Sequence, residues 1–153
     1  MKAVMVIAAL SWFYGQVLAG PHDYGCGSKA PVKIGCWSRI DTGNLLSELL
    51  FTDRDFSSNV YSHKFVDWNN WQTYVNDLLC RCSDAAKAKG YKFIGLRFYA
   101  ECWGHLKSPG DYAVAVPQVG KCYQNYGQRC DKDEKSFACV GDALAMYIYN
   151  IRD

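Results

Sequence analysis

Residues 91–104 read YKFIGLRFYAECWG. Side chains alternate across a strand, so an extended reading puts Ile94, Leu96, Phe98, Ala100 and Cys102 on one apolar face. The opposite face then carries Tyr91, Phe93, Gly95, Arg97, Tyr99, Glu101 and Trp103, large rings mixed with an opposed charge pair. That second row is either an exposed binding surface or a second buried layer. In the first case Tyr99 and Trp103 form a flat platform flanked by Arg97 and Glu101, suited to a sugar ring or a partner's side chain. In the second, Arg97 and Glu101 make a structural ion pair and Gly95 lets another backbone approach.

Upstream of this stretch lies the clearest periodicity in the chain. Trp71, Tyr74, Val75, Leu78, Leu79, Cys82, Ala85 and Ala86 recur at offsets 0, 3, 4, 7, 8, 11, 14 and 15, one face of a helix over 69–90. Asn69 or Asn70 can cap its start and Gly90 its end. Cys82 lies near the middle of the apolar face and Cys80 points away from it. The helix should therefore be stapled on both sides, Cys82 to the sheet and Cys80 to a segment wrapped outside, either the terminal segment or the Cys26 loop. A Cys82–Cys102 bridge would close a loop of about 20 residues and contribute ~3 kcal/mol by chain entropy.

Around this pair the pattern thins. Residues 20–31 read as a loop tethered by Cys26, and Val32 to Trp37 as a short strand. Leu45, Leu46, Leu49, Leu50 and Phe51 fall at helical spacing, and residues 51–65 read as a surface loop. Cys122, Cys130 and Cys139 mark a stapled excursion, and ALAMYIYNI at 143–151 suits a last strand. The expected fold class is α+β: a small disulfide-rich single domain with one main helix packed on a short antiparallel sheet. No internal repeat or linker divides it.

The first 19 residues have a short positive start at Lys2, an apolar run and small residues at Val17 and Ala19, which is the pattern of a cleaved signal peptide. The apolar run is shorter than the roughly 20 residues a span needs. The expected organisation is a leader over 1–19 and one extracellular domain over 20–153, secreted and without a membrane span. All eight cysteines, Cys26, Cys36, Cys80, Cys82, Cys102, Cys122, Cys130 and Cys139, fall in that domain. An even number in a secreted chain implies four disulfides, in one of about a hundred connectivities. Metal binding is not expected: Cys80-Arg-Cys82 lacks a ligand loop, and His22, His63 and His105 have no paired spacing. Without Lys2 the 17 basic residues become 16, against 15 acidic ones, and the two signs are interspersed. That balance argues against charge-driven binding to nucleic acid.

Chemistry is harder to find. No nucleophile elbow, P-loop or dinucleotide glycine pattern occurs, so no cofactor is expected. Carboxylate pairs for a lysozyme-like reaction, Glu48 with Asp53 or Glu101 with Asp111, can be named without a reason for them to converge. The same holds for His63 and His105 in a ribonuclease-like site, and His22-Asp23 lies in a loop. Bridged cysteines leave no thiol nucleophile. The chain reads as non-enzymatic. Two Cys-Trp dipeptides, Cys36-Trp37 and Cys102-Trp103, suggest disulfides each shielded by an indole, whereas Trp71 heads the core face of the helix and Trp68 faces the same question unanswered.

The run from Cys82, CSDAAKAKGYKFIGLRFYAECWG, with Gly35-Cys36-Trp37 before it and CVGDALAMYIY after it, resembles a small cysteine-rich extracellular module of cnidarians and other marine invertebrates. More distantly, its helix-then-strand order resembles WSC and PAN/apple domains, which implies carbohydrate or protein binding. The helix cysteines are two apart here, where WSC domains usually carry them four apart. The expected function is a secreted, non-catalytic recognition or extracellular-matrix module binding a glycan or partner protein through Arg97, Tyr99, Glu101 and Trp103. The alternative is a venom-type or defence toxin acting on a membrane receptor or channel, with a small hydrolase behind both.

Overall fold

The computed structural model describes residues 24–27, 30–38, 46, 48–105, 121–125, 127–130, 134 and 136–152. The leader expected at 1–19, and His22, Asp23, Leu45 and Asp111, lie outside the described residues. Residues 91–104 are not one strand. They form a hairpin, with β3 (Phe93–Arg97) and β4 (Glu101–His105) antiparallel and Arg97 opposite Glu101. The chain reverses at Phe98 and Tyr99, whose φ angles are +47° and +66°, and the Ala100 N–H donates to the Arg97 carbonyl at 3.2 Å.

Paired positive φ angles belong to a type I′ turn, where Asn and Gly are the usual residues. Two aromatic residues there give no turn signal, and each sits in a conformation costing ~1 kcal/mol. Its surroundings hold the turn in place. The Phe98 and Tyr99 N–H groups donate to the carbonyls of Asp142 and Gly141 at 3.2 and 3.1 Å. The Arg54 guanidinium lies 3.2 Å from the centroid of the Phe98 ring.

The other strands are β1 (Val32–Ser38), β2 (Glu48–Thr52), β5 (Cys122–Gln124), β6 (Gln128–Arg129), β7 (Val140–Gly141) and β8 (Ala145–Asn150). A five-stranded antiparallel sheet runs in the order β1-β8-β3-β4-β2, and a three-stranded one in the order β6-β5-β7. The closing segment thus becomes a central strand, buried from Ala145 to Tyr149. The apolar patch near Leu49 is the edge strand β2, not a helix. A short apolar run fits either period, and pairing with β4 decides it.

The helix α1 (Trp71–Ala88) buries Trp71, Tyr74, Val75, Leu78, Leu79, Cys82, Ser83 and Ala86, with Ser83 replacing the expected Ala85. Gly90 at φ +73° closes it, and the N–H of Gly90 reaches the Lys87 carbonyl at 2.9 Å. Helix and sheet share the main core with Ile94, Leu96, Cys102, Tyr147 and Tyr149. The domain is α+β, one helix packed against antiparallel sheets.

Four disulfides join Cys26–Cys80, Cys36–Cys122, Cys82–Cys102 and Cys130–Cys139, which suits an oxidising, extracellular environment. Cys82 reaches the sheet, and Cys80 the Cys26 loop. Among the described residues no helix is long and apolar enough to cross a membrane.

The far face of the large sheet carries a second, smaller apolar cluster of Leu46, Phe93, Met146 and Ile148, bordered by Ile34, Trp37 and Trp103. A Cβ at Gly95 would collide with the Met146 side chain and with Leu46, so Gly95 admits side chains rather than another backbone. Cys36 and Cys102 belong to the helix side while Trp37 and Trp103 belong to the far side. The indoles therefore do not shield the neighbouring disulfides. Adjacent residues of a strand point to opposite faces, and each Cys-Trp dipeptide divides between the two clusters.

Candidate recognition surface

The four residues expected to form a platform are divided by the hairpin. Arg97, 9% exposed, lies with its Nε 3.4 Å from the Glu101 Oε2. The Trp103 Nε1–H donates to the same carboxylate oxygen at 2.9 Å, and the Arg97 guanidinium sits 4.9 Å from the Trp103 ring centroid. These three close on one another at the far face. Tyr99, displaced by the turn, packs instead beside the helix-side core.

There Tyr99 meets the residue that periodicity left unassigned. The Trp68 ring stacks on Trp71 with centroids 5.0 Å apart and planes 1° from parallel. Tyr99 stands edge-on to both, at 5.7 and 6.0 Å. Trp71 is only 6% exposed and Trp68 is 62% exposed, so a buried indole supports an open one. Trp68 lies before the helix, in the bend and turn that precede the Asn70 cap, and that turn folds its ring back over Trp71.

Trp68 is held by its neighbours. The Asp67 Oδ1 accepts the Asn69 and Asn70 N–H groups at 3.0 Å each, and Oδ2 accepts from the Asn70 side chain at 3.0 Å. The Asn70 side-chain and backbone bonds hold the Asp67 carboxyl below its ordinary range. Beneath Trp71, the Tyr74 hydroxyl donates to the Asp53 Oδ2 at 2.8 Å. Asp53, 1% exposed, also receives both Arg81 terminal nitrogens, at 3.1 and 2.6 Å, and the Ser62 hydroxyl. Burial first, and then the Asp53 charge, push the Tyr74 hydroxyl well above the ordinary tyrosine range.

Two clefts flank the Trp68–Tyr99 pair. One of about 300 Å³ is walled by Arg54, Phe56, Phe65, Val66, Trp68 and Tyr99. The other, of about 380 Å³, is walled by Trp68, Trp71, Tyr99, Tyr123 and Gly127. Phe56 and Phe65 are 66% and 72% exposed, with their rings 5.7 Å apart. Leu144, also exposed, sits on the β7–β8 turn that binds the Phe98 N–H through Asp142. Among the described residues the exposed large apolar side chains thus gather around this end of the domain.

The carboxylates named for hydrolysis have structural partners. Glu48 is engaged by Lys89 and Tyr91, and Asp53 by Arg81, Tyr74 and Ser62. His63 packs on Tyr61 and His105 along Tyr91, against different rings. Among the described residues no group of three or more His, Cys, Asp or Glu side chains could hold a metal ion.

Compared with protein-family models, curated proteins and solved structures, the chain finds no match. Helical periodicity carried no signal for Trp68, which lies in the bend before α1. Phe56 and Phe65 had no periodic signal at all, because they belong to an irregular loop.

Proposed function

We propose that the domain is a secreted, non-catalytic recognition module that binds a glycan on the Trp68 platform, with Tyr99 at its border. The observation that carries this reading is the exposed Trp68 ring, held flat by Trp71 and fixed at its base by Asp67. A rigid indole presents apolar area at little entropic cost and stacks on the C–H face of a sugar ring. Flanking clefts with few polar groups supply the concave site that small ligands need. The structural partners of Glu48 and Asp53 support binding over hydrolysis.

The test is a glycan array with the oxidised domain, its Trp68→Ala variant and its Trp103→Ala variant. Selective binding should disappear with Trp68→Ala and survive Trp103→Ala. If no glycan is bound selectively, the carbohydrate reading is wrong.

A further inference from the structure

We infer that the ligand is an anionic oligosaccharide of at least two sugar units, with its carboxylate or sulfate read by Arg54 and the neighbouring ring seated beyond Trp68. The inference rests on the glycan reading above and names its substrate class.

Arg54 stands in the smaller cleft as a pre-set anion contact. Its guanidinium covers the Phe98 ring and its Nη1 donates to the Phe98 carbonyl at 3.4 Å. Both contacts fix the plane of the group and leave its other N–H donors for a ligand. Among the described residues Arg54 makes no ion pair. Asp53, the other charged residue lining this cleft, is matched by the two-pronged Arg81 contact at 3.1 and 2.6 Å. Among the residues lining this cleft Arg54 is therefore the charge without a salt-bridge partner. The neighbouring Asp55 carboxylate feels it but is turned to solvent and held by Ser57, and a bidentate contact from Arg54 to a carboxylate or sulfate is strong.

The larger cleft has a different chemistry. Trp68, Trp71, Tyr99, Tyr123 and Gly127 bring rings and hydroxyls to it and no charge. Trp68 and Tyr99 wall both clefts, so one ligand lying across the Trp68 ring reaches both. A charged unit on one side and an uncharged ring face on the other is the pattern they complement.

Calorimetry with the oxidised domain tests this, using tetragalacturonate, its methyl ester and a sulfated galactan tetrasaccharide of equal length. One anionic ligand should bind roughly tenfold more tightly than the ester, the worth of one charge-assisted contact. Comparison of the uronate with the sulfated sugar identifies which anion Arg54 reads. Arg54→Gln should remove that advantage, so that acid and ester bind alike, with the tryptophan indole N–H spectrum of the variant reporting an intact platform. Arg54→Lys should keep part of the preference. Trp68→Ala should weaken all three ligands. Equal binding of acid and ester, or a preference that survives Arg54→Gln, overturns the inference while Trp68-dependent binding leaves the glycan reading standing. Absence of binding to all three overturns it, and silence of the array as well removes the glycan reading itself.

Discussion

Trp68 lies parallel to Trp71 within 1°, with ring centroids 5.0 Å apart, yet the two differ about tenfold in exposure, at 62% and 6%. One ring belongs to the core and the other stands on it. Their substitution should separate stability from binding. Trp71→Ala removes a buried indole and should cost roughly 3–5 kcal/mol in denaturant unfolding. Trp68→Ala should cost under about 1 kcal/mol while removing ligand binding. Similar losses of stability from both would place Trp68 in the core.

The Asp53 carboxylate ties the 53–66 loop to the helix through Tyr74 and Arg81. Asp53→Ala leaves a guanidinium that keeps 22% exposure and can recover some water. The expected loss is therefore roughly 2–3 kcal/mol, below that for breaking a fully buried pair. Hydrogen exchange should show the 53–66 loop opening before the sheet.

Alkaline pH should unfold the domain through its tyrosines. Burial, and then the Glu134 charge, push the Tyr24 hydroxyl from 10.0 up to about 12. Burial likewise raises Tyr149, whose hydroxyl donates to the Cys139 carbonyl at 2.8 Å. A folded-state pKa above the unfolded value means that the folded state holds the proton more tightly. This stability is full below pH 10.0 and falls as pH rises toward the folded values. Phenolate absorbance should show exposed tyrosines titrating first and the buried ones together with unfolding. Titration of every tyrosine near its ordinary value, with the fold intact, would contradict this.

Tyr99 has φ +66°, a conformation that glycine takes without strain. Tyr99→Gly should therefore recover ~1 kcal/mol of backbone strain. The same change removes the ring that stands edge-on to Trp68 and Trp71. Thermal melting should show stability near or above that of the parent, and titration should show weaker binding. Unchanged affinity would exclude Tyr99 from the site.

Periodicity made α1 legible, because its buried face follows the apolar offsets and Gly90 ends it. Cys82–Cys102 was legible for the same reason, since both cysteines lie on facing apolar surfaces. The hairpin was not. Its turn residues, Phe98 and Tyr99, have the composition of a strand, and what reverses the chain there is the Asp142 and Gly141 carbonyls together with Arg54, all remote in sequence. That single break moved Tyr99 away from Arg97, Glu101 and Trp103, and it carried the candidate surface to the other side of the sheet. Phe56 and Phe65 were hidden because a loop has no period, and their placement depends on contacts such as Asp53 with Arg81.

Ligand lying on Trp68 is detected at the ring itself. The most direct measurement is the indole N–H region of a proton–nitrogen correlation spectrum, with each tryptophan assigned by substitution, during titration with an array-selected oligosaccharide. The Trp68 and Trp71 signals should move with saturation while those of Trp37 and Trp103 stay fixed. Movement of Trp37 or Trp103 with Trp68 unmoved would place the ligand on the far face of the sheet and contradict binding at Trp68.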